Sequence, residues 1–118
     1  MASLSNYLLT HRKRLSLSQE EAGFLLGMKG MNKGVKVCRD EALTREPSLQ
    51  TALAYEVIYG KPVRELFAGL YEQIEQEVVG RAKILTYRKK KKPNQKRDEL
   101  LASLALRSTQ LLDNQSST

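Results

Sequence analysis

Apolar residues recur every three or four positions along most of the chain, the spacing that aligns side chains on one face of an α-helix. No stretch alternates apolar and polar residues over the length of a strand, and none carries the turn residues of a hairpin. The pattern therefore predicts an all-α protein.

Capping residues and glycines set the limits of the first two predicted helices. The first runs from about position 5 to 14, where it ends in three cations. The second starts after Ser18, whose hydroxyl can form a capping box with Glu21, and it stops at Gly27. Gly23 lies inside this helix, although glycine costs about 1 kcal/mol there relative to alanine. Such a glycine predicts that another backbone crosses the helix closely.

Two further helices are predicted next. One covers about 33–42, and the other begins after Ser48 and stops at Gly60. Apolar residues at helical spacing predict which face of this fourth helix packs inward. That face is assigned to Leu49, Ala52, Leu53, Val57 and Ile58.

The second half of the chain is divided by its charge. An apolar stripe over 63–82 predicts one long helix, which Gly69 and Gly80 are expected to break or bend. Residues 88–97, RKKKKPNQKR, contain seven Lys or Arg and no acid, which equals the net charge of +7. A short helix is expected over 98–112. The predicted organisation is a helical domain over 1–71, an extension over 72–87, a basic linker over 88–97, and a C-terminal helix with a polar tail over 98–118.

Composition limits the classes of function. Apolar runs span only a few residues, and the N-terminal sequence lacks the order of a signal peptide, so we expect a cytoplasmic protein without membrane contact. One Cys and one His leave no metal-binding cluster, and phosphate-binding or serine-nucleophile motifs are missing. We therefore expect no cofactor and no enzyme activity. The basic excess instead predicts a polyanionic partner, although 88–97 can also serve only as a spacer.

Gln19, Gly23 and Gly27 are spaced four residues apart across the second helix. With the segments SLSQEE, FLLG, EPSLQTALAYEV and VRELFAGL, they resemble the helix-turn-helix of the Cro/repressor (XRE-like) family of prokaryotic and phage DNA-binding proteins. The resemblance covers about residues 4–71. It implies a five-helix, lambda-repressor-like domain in which Gly23 faces the third helix and Gly27 makes the turn.

The third helix departs from the pattern of the family. The register requires about four extra residues in MKGMNKG, which places Val37 in the apolar position and Arg39 in the polar position two residues on. Glu41 then matches the family's frequent glutamate. Asp40 stands where the family usually has a large apolar residue, so we expect a looser helix and repulsion of nearby phosphates. The resemblance implies that Gly23, Gly27 and Val37 pack the two helices together.

The resemblance also implies a way of binding DNA. In a helix-turn-helix, the second helix crosses the DNA backbone and the third lies in the major groove. Gln19 is then expected to contact a phosphate, and Arg39 to recognise guanine. The implied DNA-contacting residues are Gln19, Lys29, Lys33, Val35, Lys36, Arg39 and Arg45.

Members of the family usually act as symmetric dimers on inverted repeats. The candidate dimer surfaces are the Leu-rich segment 100–112 and the stripe of Leu70, Ile74, Val78 and Leu85, although either can instead cover the core of its own chain. The leading hypothesis is a dimeric, nucleoid-associated prokaryotic repressor that binds double-stranded DNA. The alternatives are an antitoxin that binds a partner protein through its C-terminal segment, and a protein-interaction adaptor.

Overall fold

A computed structural model of the chain describes the backbone of residues 6–88 and 94–116 and the side chains of 6–88 and 94–107. All regular structure in these residues is helical, as the apolar spacing predicts. The helices form two compact units, which meet in sequence at Tyr71 and Glu72. Their bounds are α1 (Leu8–Arg14), α2 (Gln19–Leu25), α3 (Lys33–Glu41), α4 (Leu49–Tyr59), α5 (Val63–Leu66), α6 (Ala68–Tyr87) and α7 (Gln95–Ser116).

Aromatic side chains fill the core of the first unit. The rings of Tyr55 and Tyr59 lie 5.6 Å apart, and Phe67 meets Tyr55 edge-on at 6.2 Å. Leu8 of α1 and Leu66 of α5 are buried in the same cluster. The core therefore joins α1, α4 and α5, and leaves the α2–α3 pair to pack beside it.

The cap assignments made from sequence are confirmed. The Ser18 hydroxyl accepts a hydrogen bond from the Glu21 N–H at 3.0 Å, and the Glu21 carboxylate accepts one from the Ser18 N–H at 2.9 Å. These hydrogen bonds lower the pKa of Glu21. Gly27 and Gly60 adopt φ angles of +79° and +68° after α2 and α4, the left-handed conformation expected of a helix stop.

The predicted inward face of α4 is only partly right. Ala52 and Ile58 pack against the core as predicted. Leu49, Leu53 and Val57 are 75%, 50% and 83% exposed, whereas Tyr55 and Tyr59 are buried. Because α4 is apolar on nearly every side, periodicity alone does not select its inward face. Tyrosine rings bury more area than leucine or valine side chains, and they occupy the core here.

The helix predicted over 63–82 is broken, but the predicted position of the break is wrong. The break between α5 and α6 falls at Phe67, where φ is −115° and ψ is 46°, and neither at Gly69 nor at Gly80. The Phe67 side chain is buried, and the Leu66 carbonyl accepts a hydrogen bond from the Tyr7 N–H at 2.8 Å. Packing against the N-terminal segment therefore ends α5, and α6 continues through both glycines.

The second unit contains most of α6 together with α7. An ion pair of 3.2 Å between Arg107 and Glu75 joins the two helices. The buried residue Ala82 lies seven residues after Glu75, and the buried residue Leu101 lies six residues before Arg107. In an antiparallel pair of helices, these spacings place Ala82 and Leu101 at the same height along the helix axes. The unit is therefore a helical hairpin.

The predicted start of the C-terminal helix needs correction. Helix α7 begins at Gln95 rather than at 98, and its 22 residues make it longer than the short helix expected. The Asn94 side chain accepts a hydrogen bond from the Arg97 N–H at 3.0 Å and caps the helix. The linker predicted over 88–97 therefore loses its last three residues to α7, and 89–93 lie outside the described residues.

His11 gives a test of the packing of α1. Burial lowers the pKa of His11, the positive charges of Arg14 and Lys61 lower it further, and Glu65 partly opposes them. The Arg14 side chain also donates to Nδ1 of His11 at 3.3 Å, which requires the neutral ring.

Stability of the first unit is expected to rise as pH increases toward about 7, because the unfolded chain protonates this histidine at a higher pH than the folded one does. His11→Gln is expected to flatten that rise, measured as the midpoint of urea unfolding between about pH 5 and 7. An unchanged slope would show that folding does not lower the pKa of His11.

Candidate nucleic-acid interface

The backbones of α2 and α3 approach each other closely at Gly23. A Cβ atom at this position would lie 2.7 Å from the Lys33 Cβ and 3.0 Å from the Lys33 carbonyl oxygen. A carbon–carbon separation of 2.7 Å lies well inside van der Waals contact, so any side chain at this position would force α2 and α3 apart, and glycine avoids this. The close crossing predicted for Gly23 is confirmed. Val37, from the next turn of α3, is fully buried.

A second glycine lies on the other side of the same crossing. A Cβ on Gly34 would come within 3.2 Å of the Glu20 carboxylate, and the Gly34 N–H already donates to that carboxylate at 2.8 Å. Glu20 thereby satisfies one of the open amides at the start of α3. Asn32, at the N-cap position, uses no side-chain hydrogen bond for this purpose.

Glu41 connects three helices through charged hydrogen bonds. The Arg12 Nε donates to Glu41 at 2.6 Å, and the Gln19 amide donates to the same carboxylate at 3.1 Å. The hydrogen bond with Glu41 raises the pKa of Arg12 and outweighs the opposing effect of burial. The end of α3 is therefore fixed to α1 and to the start of α2. Gln19, predicted from the resemblance to contact phosphate, has its amide directed at Glu41.

Asp40 points into the core rather than toward solvent. Its side chain is completely buried and accepts hydrogen bonds from the Tyr55 hydroxyl at 2.9 Å and from Arg45 Nε at 3.0 Å. Burial, together with the Asp40 charge, raises the pKa of Tyr55 well above its ordinary value. The Asn6 amide also donates to the Asp40 carbonyl at 3.2 Å. The expectation that Asp40 loosens α3 is therefore wrong, because the carboxylate anchors the helix from inside. The expected repulsion of phosphates stays a prediction.

The outer face of α3 is formed by Val35, Cys38 and Arg39, all of them exposed. Met31, which precedes the helix, is 95% exposed beside them. In the part of the chain that the structure describes, these side chains form no hydrogen bond or ion pair. A shallow concave surface joins this face to α2 and is lined by Gln19, Glu20, Met31, Asn32, Gly34, Val35, Cys38 and Arg39.

The predicted DNA-contacting residues do not all lie on one surface. Val35 and Arg39 share the concave surface with Gln19, whereas Lys33 is half-buried against Gly23. The Lys36 ammonium donates to the Lys29 carbonyl at 2.9 Å and borders a different surface. That second surface is lined by Leu26, Gly27, Met28, Lys36, Arg45, Gln50 and Thr51.

Met31 and Cys38 belong to the concave surface but were missed from the sequence. Cys38 lies three residues after Val35 and one before Arg39, so helical spacing alone places it on the same face. Free cysteine is usually a small, semi-buried residue, which predicts a packing role and not an exposed one. Met31 precedes α3, where periodicity gives no guidance.

Two other kinds of site find no support in the described residues. No group of three or more His, Cys, Asp or Glu side chains among them could hold a metal ion. Within the same residues, no helix combines the length and hydrophobicity that crossing a membrane requires.

Comparison with family models, curated proteins and solved structures finds no match to this chain. The geometry of α2 and α3 is therefore the basis for assigning a function.

Proposed function

We propose that the first unit is a lambda-repressor-like helix-turn-helix domain that binds double-stranded DNA in a sequence-specific manner. The observation that carries this proposal is the division of α3 into two faces. Its inner face is fixed by Asp40, Glu41 and the crossing at Gly23, while Val35 and Arg39 face outward without internal hydrogen bonds. A rigidly held helix with uncommitted side chains on its outer face suits insertion into the major groove.

The outer face of α3 offers two kinds of base contact. The Arg39 guanidinium is suited to paired hydrogen bonds with O6 and N7 of guanine. Val35 and Met31 offer apolar atoms to a thymine methyl group. Cys38 is small enough to let the helix backbone approach the base edges.

Cations beside this face supply contacts with the DNA backbone. Lys36 lies next to Lys29 and borders the same surface as Arg45, whose side chain remains partly exposed while it pairs with Asp40. Phosphate contacts of this kind position a protein on DNA without recognising sequence. We assign Lys29, Lys36 and Arg45 to this role. Lys33 packs against Gly23 and contributes its positive charge at the edge of the outer face of α3.

The second unit is proposed to form a homodimer, which places two copies of α3 on an inverted repeat. Ile74, Val78 and Leu85 expose a large part of their surface at intervals of four and seven residues along α6. Leu70, included with them from the sequence, instead packs against the core of the first unit. A two-helix hairpin with an apolar stripe is stabilised when a second hairpin covers that stripe. We propose that the protein is a prokaryotic, cytoplasmic repressor without a cofactor.

One observation favours a second candidate, an antitoxin or adaptor that binds another protein. Leu100 and Leu106 of α7 are exposed, which gives the C-terminal helix an apolar surface of its own. A toxin or other partner could cover that surface. Copurification of a second small protein that is lost on Leu106→Glu would favour this candidate over a homodimeric repressor.

Selection of bound fragments from a random pool of DNA duplexes tests the repressor proposal. At near-physiological salt, the protein is expected to select an inverted repeat. Arg39→Ala is expected to relax one position in each half-site, with a loss of about 1–3 kcal/mol of discrimination there. Arg64→Ala removes an exposed arginine of α5 and serves as the matched control, with the selected sequence unchanged. Equal retention of all sequences by every variant would reject sequence-specific recognition, because affinity would then depend on charge alone.

A further inference from the structure

The solvent-facing side of α4 is unusually apolar. Leu49, Leu53 and Val57 succeed one another at intervals of four residues and form a continuous exposed stripe, here called the α4 stripe. Glu56 is the single charged residue within α4, and its carboxylate accepts a hydrogen bond from the Val63 N–H at 2.9 Å. No basic residue occurs between positions 46 and 60. The stripe therefore offers apolar surface with little charge to oppose its burial.

Charges at the two ends of α4 indicate what covers the stripe. Glu46 lies seven residues before Leu53 and Lys61 lies eight residues after it, and both are exposed. Both residues lie just outside α4, so in an antiparallel pair of α4 helices centred on Leu53 the end that carries Glu46 in one copy adjoins the end that carries Lys61 in the other. A parallel pair would instead bring like charges together at both ends. We propose that the α4 stripe is an interface with a second copy of this chain, in antiparallel contact about a two-fold axis through Leu53.

The arrangement is self-complementary in its side chains as well as in its charges. With Leu53 on the axis, Leu49 of one copy faces Val57 of the other, and the contact is repeated on the opposite side. An interface related by a two-fold axis requires this kind of self-matching. Three side chains are far fewer than the roughly 20–30 residues per partner of a standard interface, so the contact is weak on its own.

A weak contact gains importance when another interface already pairs the chains. The α4 stripe belongs to the first unit, whereas the exposed side chains of α6 belong to the second, so they are two separate surfaces. Two independent self-association surfaces lead from dimers to larger assemblies. If the proposed DNA binding holds, on which this consequence rests, dimers at neighbouring operators would contact each other through α4 and bind cooperatively.

Disulfide trapping tests the geometry without DNA. In a full-length Cys38→Ser background, Leu53→Cys is expected to form a disulfide-linked dimer under mild oxidation, because the two thiols meet at the axis. Val57→Cys alone is expected to lose that dimer, since its two copies are separated by about 12 Å along the helices. Mixing Leu49→Cys with Val57→Cys is expected to restore a cross-linked species. Equal cross-linking of the Leu53 and Val57 variants, or none with either, would overturn the proposal.

Sedimentation over a range of concentrations gives a second measurement that needs no new thiol. The unmodified chain is expected to form assemblies larger than a dimer at high concentration, and Leu53→Glu is expected to lose them. Circular dichroism checks that Leu53→Glu keeps its helices, as the exposure of this residue leads us to expect. Assemblies of unchanged mass in Leu53→Glu would exclude the α4 stripe.

Operator binding separates this inference from the proposed function. On a single operator, Leu53→Glu is expected to bind as the unmodified chain does, and on two adjacent operators it is expected to lose cooperativity. A chain that cross-links at position 53 but selects no DNA sequence would uphold the interface and reject the repressor. A chain that selects an operator but fails to cross-link at position 53 would uphold the repressor and reject the α4 interface.

Discussion

Replacement of Gly23 with valine is expected to lower the free energy of unfolding of the first unit by about 3 kcal/mol or more. A Cβ at position 23 would lie 2.7 Å from the Lys33 Cβ and 3.0 Å from the Lys33 carbonyl oxygen, and a backbone atom cannot rotate away as a flexible side chain can. Helices α2 and α3 must therefore separate. The melting temperature of the first unit is expected to fall by more than about 10 °C.

Gly80→Ala is the matched control for this substitution. Gly80 also lies inside a helix, but a Cβ added there meets no atom within 4 Å. Alanine at this position is expected to stabilise α6 by up to about 1 kcal/mol. Thermal unfolding followed by circular dichroism compares the two variants. If Gly23→Val melted like the unmodified chain, the close crossing of α2 and α3 would be refuted.

Replacement of Arg12 with methionine is expected to destabilise the first unit by about 3 kcal/mol. The side chains of Arg12 and Glu41 are only 11% and 6% exposed, so removal of the cation leaves a buried carboxylate with the Gln19 amide as its remaining side-chain partner. The Arg12 side chain also donates to the Leu17 carbonyl at 2.9 Å, and that hydrogen bond is lost as well. Urea unfolding at neutral pH measures the change.

A double variant distinguishes the cost of an unpaired charge from the value of the pair. Arg12→Met combined with Glu41→Leu removes both charges, and it is expected to recover a large part of the stability lost in Arg12→Met. Arg107→Met breaks an ion pair whose side chains are 47% and 17% exposed, and a loss below about 1 kcal/mol is expected. Equal losses for Arg12→Met and Arg107→Met would show that Glu41 is not buried in solution.

The limits of α2 and α4 were the most predictable part of the fold, because they depend on residues close in sequence. The capping box of Ser18 and Glu21 and the left-handed glycines Gly27 and Gly60 each act within one helical turn. The close crossing at Gly23 was predictable for a related reason. Glycine lowers the stability of a helix, and close packing against a second backbone offsets that loss.

Features that depend on distant partners were harder to predict. The break at Phe67 arises where the chain meets Tyr7, 60 residues earlier, and no local residue marks it. The inward face of α4 depends on which apolar side chains fit the core best, and its sequence offers apolar residues in nearly every direction.

The residues of the candidate site were likewise predictable where local helical spacing places them, and not where distant partners decide their role. Val35 and Arg39 reach the concave surface as helical spacing from Val37 predicts, because Val37 is buried and sets the orientation of the helix. The anchoring role of Asp40 was not predicted. It depends on hydrogen bonds from Tyr55 and Arg45, which come later in the chain.

Because the anchoring and the outward-facing residues of α3 are different residues, the binding preference of this protein can change without loss of its fold. Asp40, Glu41 and the crossing at Gly23 hold the helix whatever side chains stand at positions 35, 38 and 39. Substitutions at those three exposed positions therefore carry little risk of unfolding the domain. A duplicated copy of the chain could acquire a new binding preference in a few mutational steps, each of them through a folded intermediate.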